Sequence, residues 1–518
     1  MATAAASHPP ATLNLDRVEH GVLTVAIMMA VLLQVLDTTI ANVALPHMRA
    51  SMSATQETIN WVLTSYIVAS AIAIPITGWL ADRVGRKRLF VWSVIAFTIA
   101  SAACAMAQNL SEMVIFRALQ GISGAFLVPI AQAVLFDINP PHKHARAMAM
   151  FGMGIMIGPI LGPVLGGWLT ENYSWRWVFL VNLPVGVVCT FLLMRTMPKG
   201  EIKRRGFDLF GFALLAVALG AFQLMLDRGQ QLDWFDSWEV WIEAALAASC
   251  AWMFVVQLAT AKQPLFDPRM FADRNFSFAL LFMAVTGVLL LAGLALLPPL
   301  LQQLFGYSVL DSGFLTAPRG VGTLVSMMIA GRLTGKVDAR ILIFFGISCL
   351  ALSLYQMSGF TLVMGSRQII VSGVVQGFGL GFIFVPLQAL AFASLAPSYR
   401  TTGASLLNLS RNMGGSVGIS VVTSLLARNL QVSHSDMASN VTASTLPLID
   451  PSVIQRFGQL SEGAVAMLNA EINRQALMIA YLDDFHAMML LTLAALPLVW
   501  LLRKPKKGAA GGPPVVAD

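Results

Sequence analysis

The sequence predicts an all-α integral membrane protein of about fourteen spanning helices, built as two related halves with two extra helices between them. Three observations carry that prediction. Of the 518 residues, 57% are hydrophobic and only 11% charged, and the mean hydropathy is +0.73. A water-exposed surface of this size needs far more charge, so lipid must surround most of the fold. Apolar windows of about 20 residues recur along the chain, each long enough to cross a ~30 Å hydrocarbon layer at about 1.5 Å per residue. The chain also repeats itself. Thr77 to Leu89 (TGWLADRVGRKRL) closes the second window and Ala330 to Leu342 (AGRLTGKVDARIL) closes the tenth, while Gln120-Gly121 is echoed by Gln376-Gly377.

In chain order the windows are 21–45, 59–81, 88–107, 111–135, 147–169, 176–195, 208–226, 239–260, 276–301, 312–333, 341–359, 368–392, 401–426 and 484–502. Their unbroken length specifies helices; barrel strands would be shorter and would alternate polar with apolar. Residues 1–20 read as a polar tail without the compact apolar core of a cleaved signal peptide. Residues 21–200 form a first six-helix half, 201–270 two linker helices, and 271–502 a second six-helix half. Within that half, 427–482 reads as the single long outer loop, and 503–518 as a disordered tail. Duplicated halves with a site between them are the usual build of a secondary transporter.

Charge placement sets the expected orientation. About 23 of the 33 Lys and Arg residues fall in loops on the N-terminal side of the membrane, about 7 on the other side, and three (Arg117, Arg319, Arg411) inside windows. Such asymmetry places both termini in the cytoplasm. It also accounts for the net charge of +7 without nucleic acid. The four cysteines lie in apolar windows without metal-ligand spacing, and read as small packing residues.

Asp37 is the most informative residue. It sits about two-thirds of the way along the first window, where an unpartnered acid costs roughly 2.5–3.5 kcal/mol on insertion scales. Gln34, Asp37, Thr38 and Ala41 fall on one helical face, which is expected to point into a cavity with Asn42 nearby. Arg117 lies at a similar depth in the fourth window, so an Asp37–Arg117 pair, direct or through water, is geometrically allowed. A static packing bridge is the plainer account of such a pair, but an expensive way to hold two helices in lipid. Trp61, Thr64 and Tyr66, near the outer end of the second window, are candidate cavity residues, with an interfacial aromatic belt as the alternative for Trp61.

Two glycine patterns follow. Gly78 and Gly85 bracket a tight loop in which Asp82, Arg83 and Arg86 can make ion pairs that break and re-form between halves. Gly154, Gly158, Gly162 and Gly166 fall four apart on the fifth window, with Pro159 and Pro163 between them. This spacing makes a groove for close helix approach, and the prolines remove two backbone hydrogen bonds. A kinked, grooved helix suits a surface that opens and closes. Arg319 and Arg411 are further intramembrane charges beside glycines, with no partner evident. Asp227-Arg228 reads as an interfacial turn. No phosphate-binding loop, zinc-protease or nucleophile-elbow motif occurs, so no enzyme constellation stands out.

Taken together, Leu36 to Pro46, the Gly78–Arg88 loop, Arg117-Ala118-Leu119-Gln120-Gly121 and the Gly154–Gly167 run resemble the major facilitator superfamily. In particular they resemble its fourteen-helix drug:proton antiporters of the EmrB and QacA kind. Ser174 to Pro184, Met225 to Gly229 and the run from Gln475 to Phe485 share the likeness. The resemblance implies a major facilitator fold and export of amphipathic or hydrophobic compounds from the inner membrane. The proton-motive force would drive it, without a cofactor or metal. It makes Asp37 the proton-coupling acid and Arg117 its relay partner, with Gln120 beside them. Asp82, Arg83 and Arg86 become gate residues, and the Gly/Pro run the antiporter interface. Family members of the EmrB kind work with a periplasmic adaptor and an outer-membrane channel, and those of the QacA kind work alone. In the second half Gly335 replaces the loop acid and Asp338 the second glycine, which weakens the expected symmetry of the gate. The competing readings are a proton-coupled importer of a defined solute and a non-transporting membrane receptor.

Overall fold

A computed structural model describes residues 16–198, 202, 206–440 and 462–503. The expected polar N-terminal segment up to residue 15, the C-terminal tail beyond 503 and most of the basic run at 199–205 lie outside the described residues. Described residues are helical throughout, apart from short connections and one isolated bridge between Thr334 and Val337.

Six long helical stretches make the first half: α1 (Arg17–Ser51), α2 (Glu57–Val84), α3 (Arg86–Met106), α4 (Leu110–Ile138), α5 (His144–Asn172) and α6 (Trp177–Thr196). Two linker helices follow, α7 (Leu209–Arg228) and α8 (Trp238–Thr260). The second half contains α9 (Arg274–Phe305), α10 (Val309–Leu333), α11 (Ala339–Met357), α12 (Ser366–Ala393), α13 (Arg400–Ser439) and α14 (Glu462–Ala495). All fourteen windows read from the sequence are therefore helical.

Twelve of these stretches are both long and apolar enough to cross a membrane. The two others, α10 and α13, have the length but carry Arg319, Arg411, Asn408 and several glycines and serines. Their polarity has a structural reason: both pack against helices of the opposite half rather than facing lipid alone. By contrast, α8 buries only Val240 and Ala247, and presents nearly its whole surface outward.

Packing respects a pseudo-twofold relation. In the first half α1 packs on α5, and in the second α9 packs on α13. Between halves, α5 lies along α10 as α13 lies against α2, and α4 meets α13 as α12 meets α5. The inward sections of α4, α12 and α13 are buried almost all round, from Leu127 to Phe136, Gly379 to Phe392 and Gly403 to Leu409. From Ser410 onward α13 loosens into partial exposure. The halves are thus closed on the side of the Arg86 loop and looser toward the other side.

The long outer loop expected over 427–482 is corrected at both ends. α13 continues as helix to Ser439 and α14 already begins at Glu462. With 40 residues, α13 is about 60 Å long, roughly twice the hydrocarbon thickness. Its distal part is polar and free of proline and glycine, so it stays helical in water, where hydropathy windows see only a loss of apolarity.

Candidate functional site

The deepest polar cluster lies inside the first half. Asp37 on α1 and Arg117 on α4 are both fully buried, and Arg117 Nη1 donates to Asp37 Oδ2 at 2.6 Å. Gln120, one turn along α4, bridges the pair. Its Nε2 donates to Asp37 Oδ1 at 2.8 Å and its Oε1 accepts from Arg117 Nη1 at 2.8 Å. A third donor to Asp37 is Asn182 Nδ2 on α6, at 2.9 Å. Arg117 is held further by its Nε–H to the Val62 carbonyl at 3.1 Å, and its guanidinium lies 4.4 Å from the centre of the Tyr66 ring. This is how two charges survive in a dry interior: they pair with each other, and two amides and a backbone carbonyl take up further hydrogen bonds.

Asn182 and its support escaped the sequence reading of roles. Asn182 Nδ2 also donates to Ser101 Oγ at 3.0 Å, and Ser101 donates to the Phe179 carbonyl at 2.9 Å. The signal was available, because Asn182 is the one amide in the 176–195 window and lies in the conspicuous Ser174–Pro184 stretch.

The polar face expected on α1 divides. Asp37 and Ala41 are buried toward α4 and α6, whereas Gln34 and Thr38 are half-buried and Asn42 is exposed. Gln34, Thr38 and Asn42 therefore form their own stripe, increasingly open toward the C-terminal end of α1. Asp37 does not face the space that this stripe lines.

Trp61 and Thr64 also sit apart from the cluster. Thr64 donates its hydroxyl to Asp227 of α7, and the Arg228 guanidinium lies 5.7 Å from the Trp61 ring centre. Arg228 pairs in turn with Glu239 at 2.8 Å and Glu243 at 3.8 Å on α8. A polar cavity of about 100 Å³ lies between these groups. Asp227 and Arg228, expected as a turn, are the last two residues of α7, and they form the joint that fastens both linker helices to α2.

The glycine run on α5 meets α1 of its own half. A Cβ on Gly158 would come within 2.5 Å of Val35 Cγ1, and one on Gly162 within 2.2 Å of Thr39 Oγ1. Thr39 also donates to the Gly158 carbonyl at 3.2 Å. Gly154 faces Met28, and Gly166 faces Ile40 and Val43. The run therefore serves two neighbours: these four glycines meet α1, while Gly167 meets Leu310 of α10. The surface toward the other half is the adjacent one, where Pro163 and Val164 approach Gly313, and Ile160 fills the space over Gly320 of α10. Four-residue spacing marks a close helix approach but does not say which neighbour makes it.

A second polar cluster joins the halves on the Arg86 side. Asp137, at the end of α4, pairs with Arg86 and also accepts from Arg400 Nη1 of α13 at 2.7 Å. Beside it, Gln132 bonds to Gln388 and accepts from Asn408 Nδ2 at 3.0 Å, all three being buried. Gly78 brings α2 against α13, since a Cβ there would lie 2.2 Å from Thr402 Oγ1. Gly85 takes a φ of 92°, which only glycine adopts without strain. Arg83 is exposed and Asp82 half-buried. Asp137 was missed in the sequence, although an acid on so basic a side was the available clue. The glycine symmetry of the gate persists where its charges do not: Gly331 packs against Ala149 of α5 as Gly78 packs against Thr402.

Paired six-helix units, a buried acid–base pair in one of them and a polar, glycine-lined contact between them define a polytopic membrane transporter. The sequence profile of the Major Facilitator Superfamily matches residues 27–419, and the chain belongs to that superfamily. It is 35% identical to the multidrug export protein EmrB of Escherichia coli, over 96% of this chain and 98% of that protein. It is 33% identical to the fatty acid resistance protein FarB of Neisseria gonorrhoeae, over 94% of this chain and 97% of the relative. Among solved structures, the human organic anion transporter MFSD10 superposes with a TM-score of 0.58 at 14% identity, covering 91% of this chain and 99% of that one. At that identity the likeness concerns the fold alone.

Proposed function

We propose that this chain is a proton-driven exporter of amphipathic or hydrophobic compounds, working by alternating access across the bacterial inner membrane with both termini in the cytoplasm. The observation that carries the reading is the fully buried Asp37, an acid held by Arg117, Gln120 and Asn182 at membrane depth. Its likeness to multidrug export proteins over nearly the whole chain supports export rather than import.

Protonation of Asp37 removes the charge that Arg117 and the two amides hold. α1 is then free to shift, and the glycine groove passes that shift to α5, whose other face contacts α10. Rocking of the halves requires the Asp137 pairs and the Gln132 cluster to part. One charge moved through 100 mV is worth about 2.3 kcal/mol, enough to bias a two-state equilibrium about fiftyfold. Substrates meet the Gln34–Thr38–Asn42 stripe in this scheme. The helical extensions of α13 and α14 beyond the bilayer are the surface that a periplasmic adaptor, and through it an outer-membrane channel, would engage.

The test is proton flux in proteoliposomes on adding a cationic dye, with Asp37→Asn as the comparison. Dye-dependent flux lost in the variant supports antiport coupled at Asp37. Flux that survives the substitution rejects that assignment.

A further inference from the structure

The second half holds a vacancy where the first half holds Asp37. Gly121, following Gln120 on α4, packs against the Tyr66 carbonyl, and Gly377, following Gln376 on α12, packs against the Arg319 carbonyl. Arg319 on α10 therefore stands where Tyr66 stands on α2. Gln376 Nε2 faces Gly293 on α9 as Gln120 Nε2 faces Asp37 on α1. A Cβ built on Gly293 lies 3.4 Å from Gln376 Nε2 and 3.3 Å from Arg319 Nη1. The second half thus keeps the amide and a guanidinium, and lacks the acid.

Arg319 is 6% exposed and Gln376 1%. Among the described residues Arg319 makes no ion pair; its guanidinium makes one hydrogen bond, from Nη2 to the Leu290 carbonyl at 3.3 Å. An arginine stays protonated at this depth, and four of its five N–H donors are left over. Water or an anion from the adjoining space must complete a charge so poorly met by protein groups. Arg319 also borders a cavity of about 40 Å³ between α5, α9 and α10, where the two halves meet. That volume exceeds what one water needs. The rest of the wall is mostly apolar, with Met156, Ile160, Leu294 and Leu297, and carries Thr316 and Thr323 as its other polar side chains.

We propose that this cavity is a substrate subsite that takes the carboxylate head group of an amphipathic anion, with Arg319 as counter-charge and Gln376 as second donor. The proposal rests on the exporter reading, which supplies the reason for a ligand to enter between the halves. An occupant here touches Pro159 and Ile160 on one side and α9 and α10 on the other, so its arrival bears on the surface that must separate.

Binding of labelled octanoate to the full-length protein in nanodiscs tests this, with octan-1-ol, acetate and chloride as competitors. Saturable octanoate binding is expected, displaced by unlabelled octanoate and not by octan-1-ol at the same concentration. Arg319→Gln is expected to weaken it about tenfold or more, the worth of one charge-assisted hydrogen bond, and Arg319→Lys to restore part of the loss. Gly293→Asp, which supplies an internal carboxylate, is expected to weaken it likewise in a protein that still folds. Equal competition by octan-1-ol, or unchanged affinity in Arg319→Gln and Gly293→Asp, overturns the assignment. Displacement by acetate or chloride at matching concentration also overturns it, in favour of a small free anion. Absence of any dye- or octanoate-driven proton flux in the wild type defeats the exporter reading instead, and leaves Arg319-dependent binding standing.

Discussion

At the scale of single residues, the Asp37 network separates charge from shape. Asparagine at position 37 keeps the size and can still accept from the amides, whereas alanine leaves Arg117 buried beside an empty volume. Breaking a buried pair from one side costs about 3–5 kcal/mol, so Asp37→Ala is expected to lower the apparent melting temperature and the yield of folded protein. Asp37→Asn should stay folded and lose coupling only. Thermal unfolding of the wild type and both variants in detergent checks this; an Asp37→Ala protein that melts with the wild type would make the Arg117 pair unimportant for stability. Asn182→Ala removes one donor from Asp37 Oδ1. A hydrogen bond to a charged group is worth about 1.5–3 kcal/mol, so an intermediate loss of stability and slower dye export are expected from it.

At the scale of elements, α5 has two working faces. Its glycines admit α1 so closely that Gly158 and Gly162 leave no room for a methyl group, while Gly166 leaves its neighbours at 3.3–3.4 Å. A graded response follows. Gly162→Ala must displace Thr39 and its hydrogen bonds, at a cost of about 1–3 kcal/mol for overpacking. Gly166→Ala needs only a few tenths of an ångström from Ile40 and Val43, and should be nearly silent. Export rates and melting temperatures of the two alanine variants measure the difference. A silent Gly162→Ala would mean that α1 and α5 do not move as a unit.

At the scale of the whole molecule, the halves are shut on one side by Asp137 and its two arginines over the Gln132–Gln388–Asn408 cluster. Arg86 belongs to one half and Arg400 to the other, so Asp137 holds an interface rather than a helix end. Asp137→Asn is expected to shift the population toward the state open on that side. A cysteine at Asn408, in a background with the four native cysteines replaced by alanine, reports it. Labelling by a membrane-impermeant maleimide from the Arg86 side should rise severalfold in Asp137→Asn. Unchanged labelling would show that the apolar contact of Phe136 with Phe392 closes the halves without help from charge.

The sequence by itself determined the class of solvent, the helix count, the duplication and the depth of Asp37 and Arg117. Each follows from apolar run length, residue periodicity or the price of a charge in hydrocarbon, which are properties of the chain alone. It also placed Gln120 and the two glycine patterns. Only the tertiary structure decided what each of these meets. Asn182 reaches Asp37 from another helix, Asp137 finds Arg400 across the molecule, Thr64 turns to α7, and the α5 glycines divide, Gly154, Gly158, Gly162 and Gly166 facing α1 while Gly152 and Gly167 face α10. Helical spacing fixes which residues share a face but carries no information about the neighbour on that face. Arg319 is the sharpest case: the sequence shows an intramembrane charge with no partner evident, and only the structure sets Gly293 and Gln376 beside it.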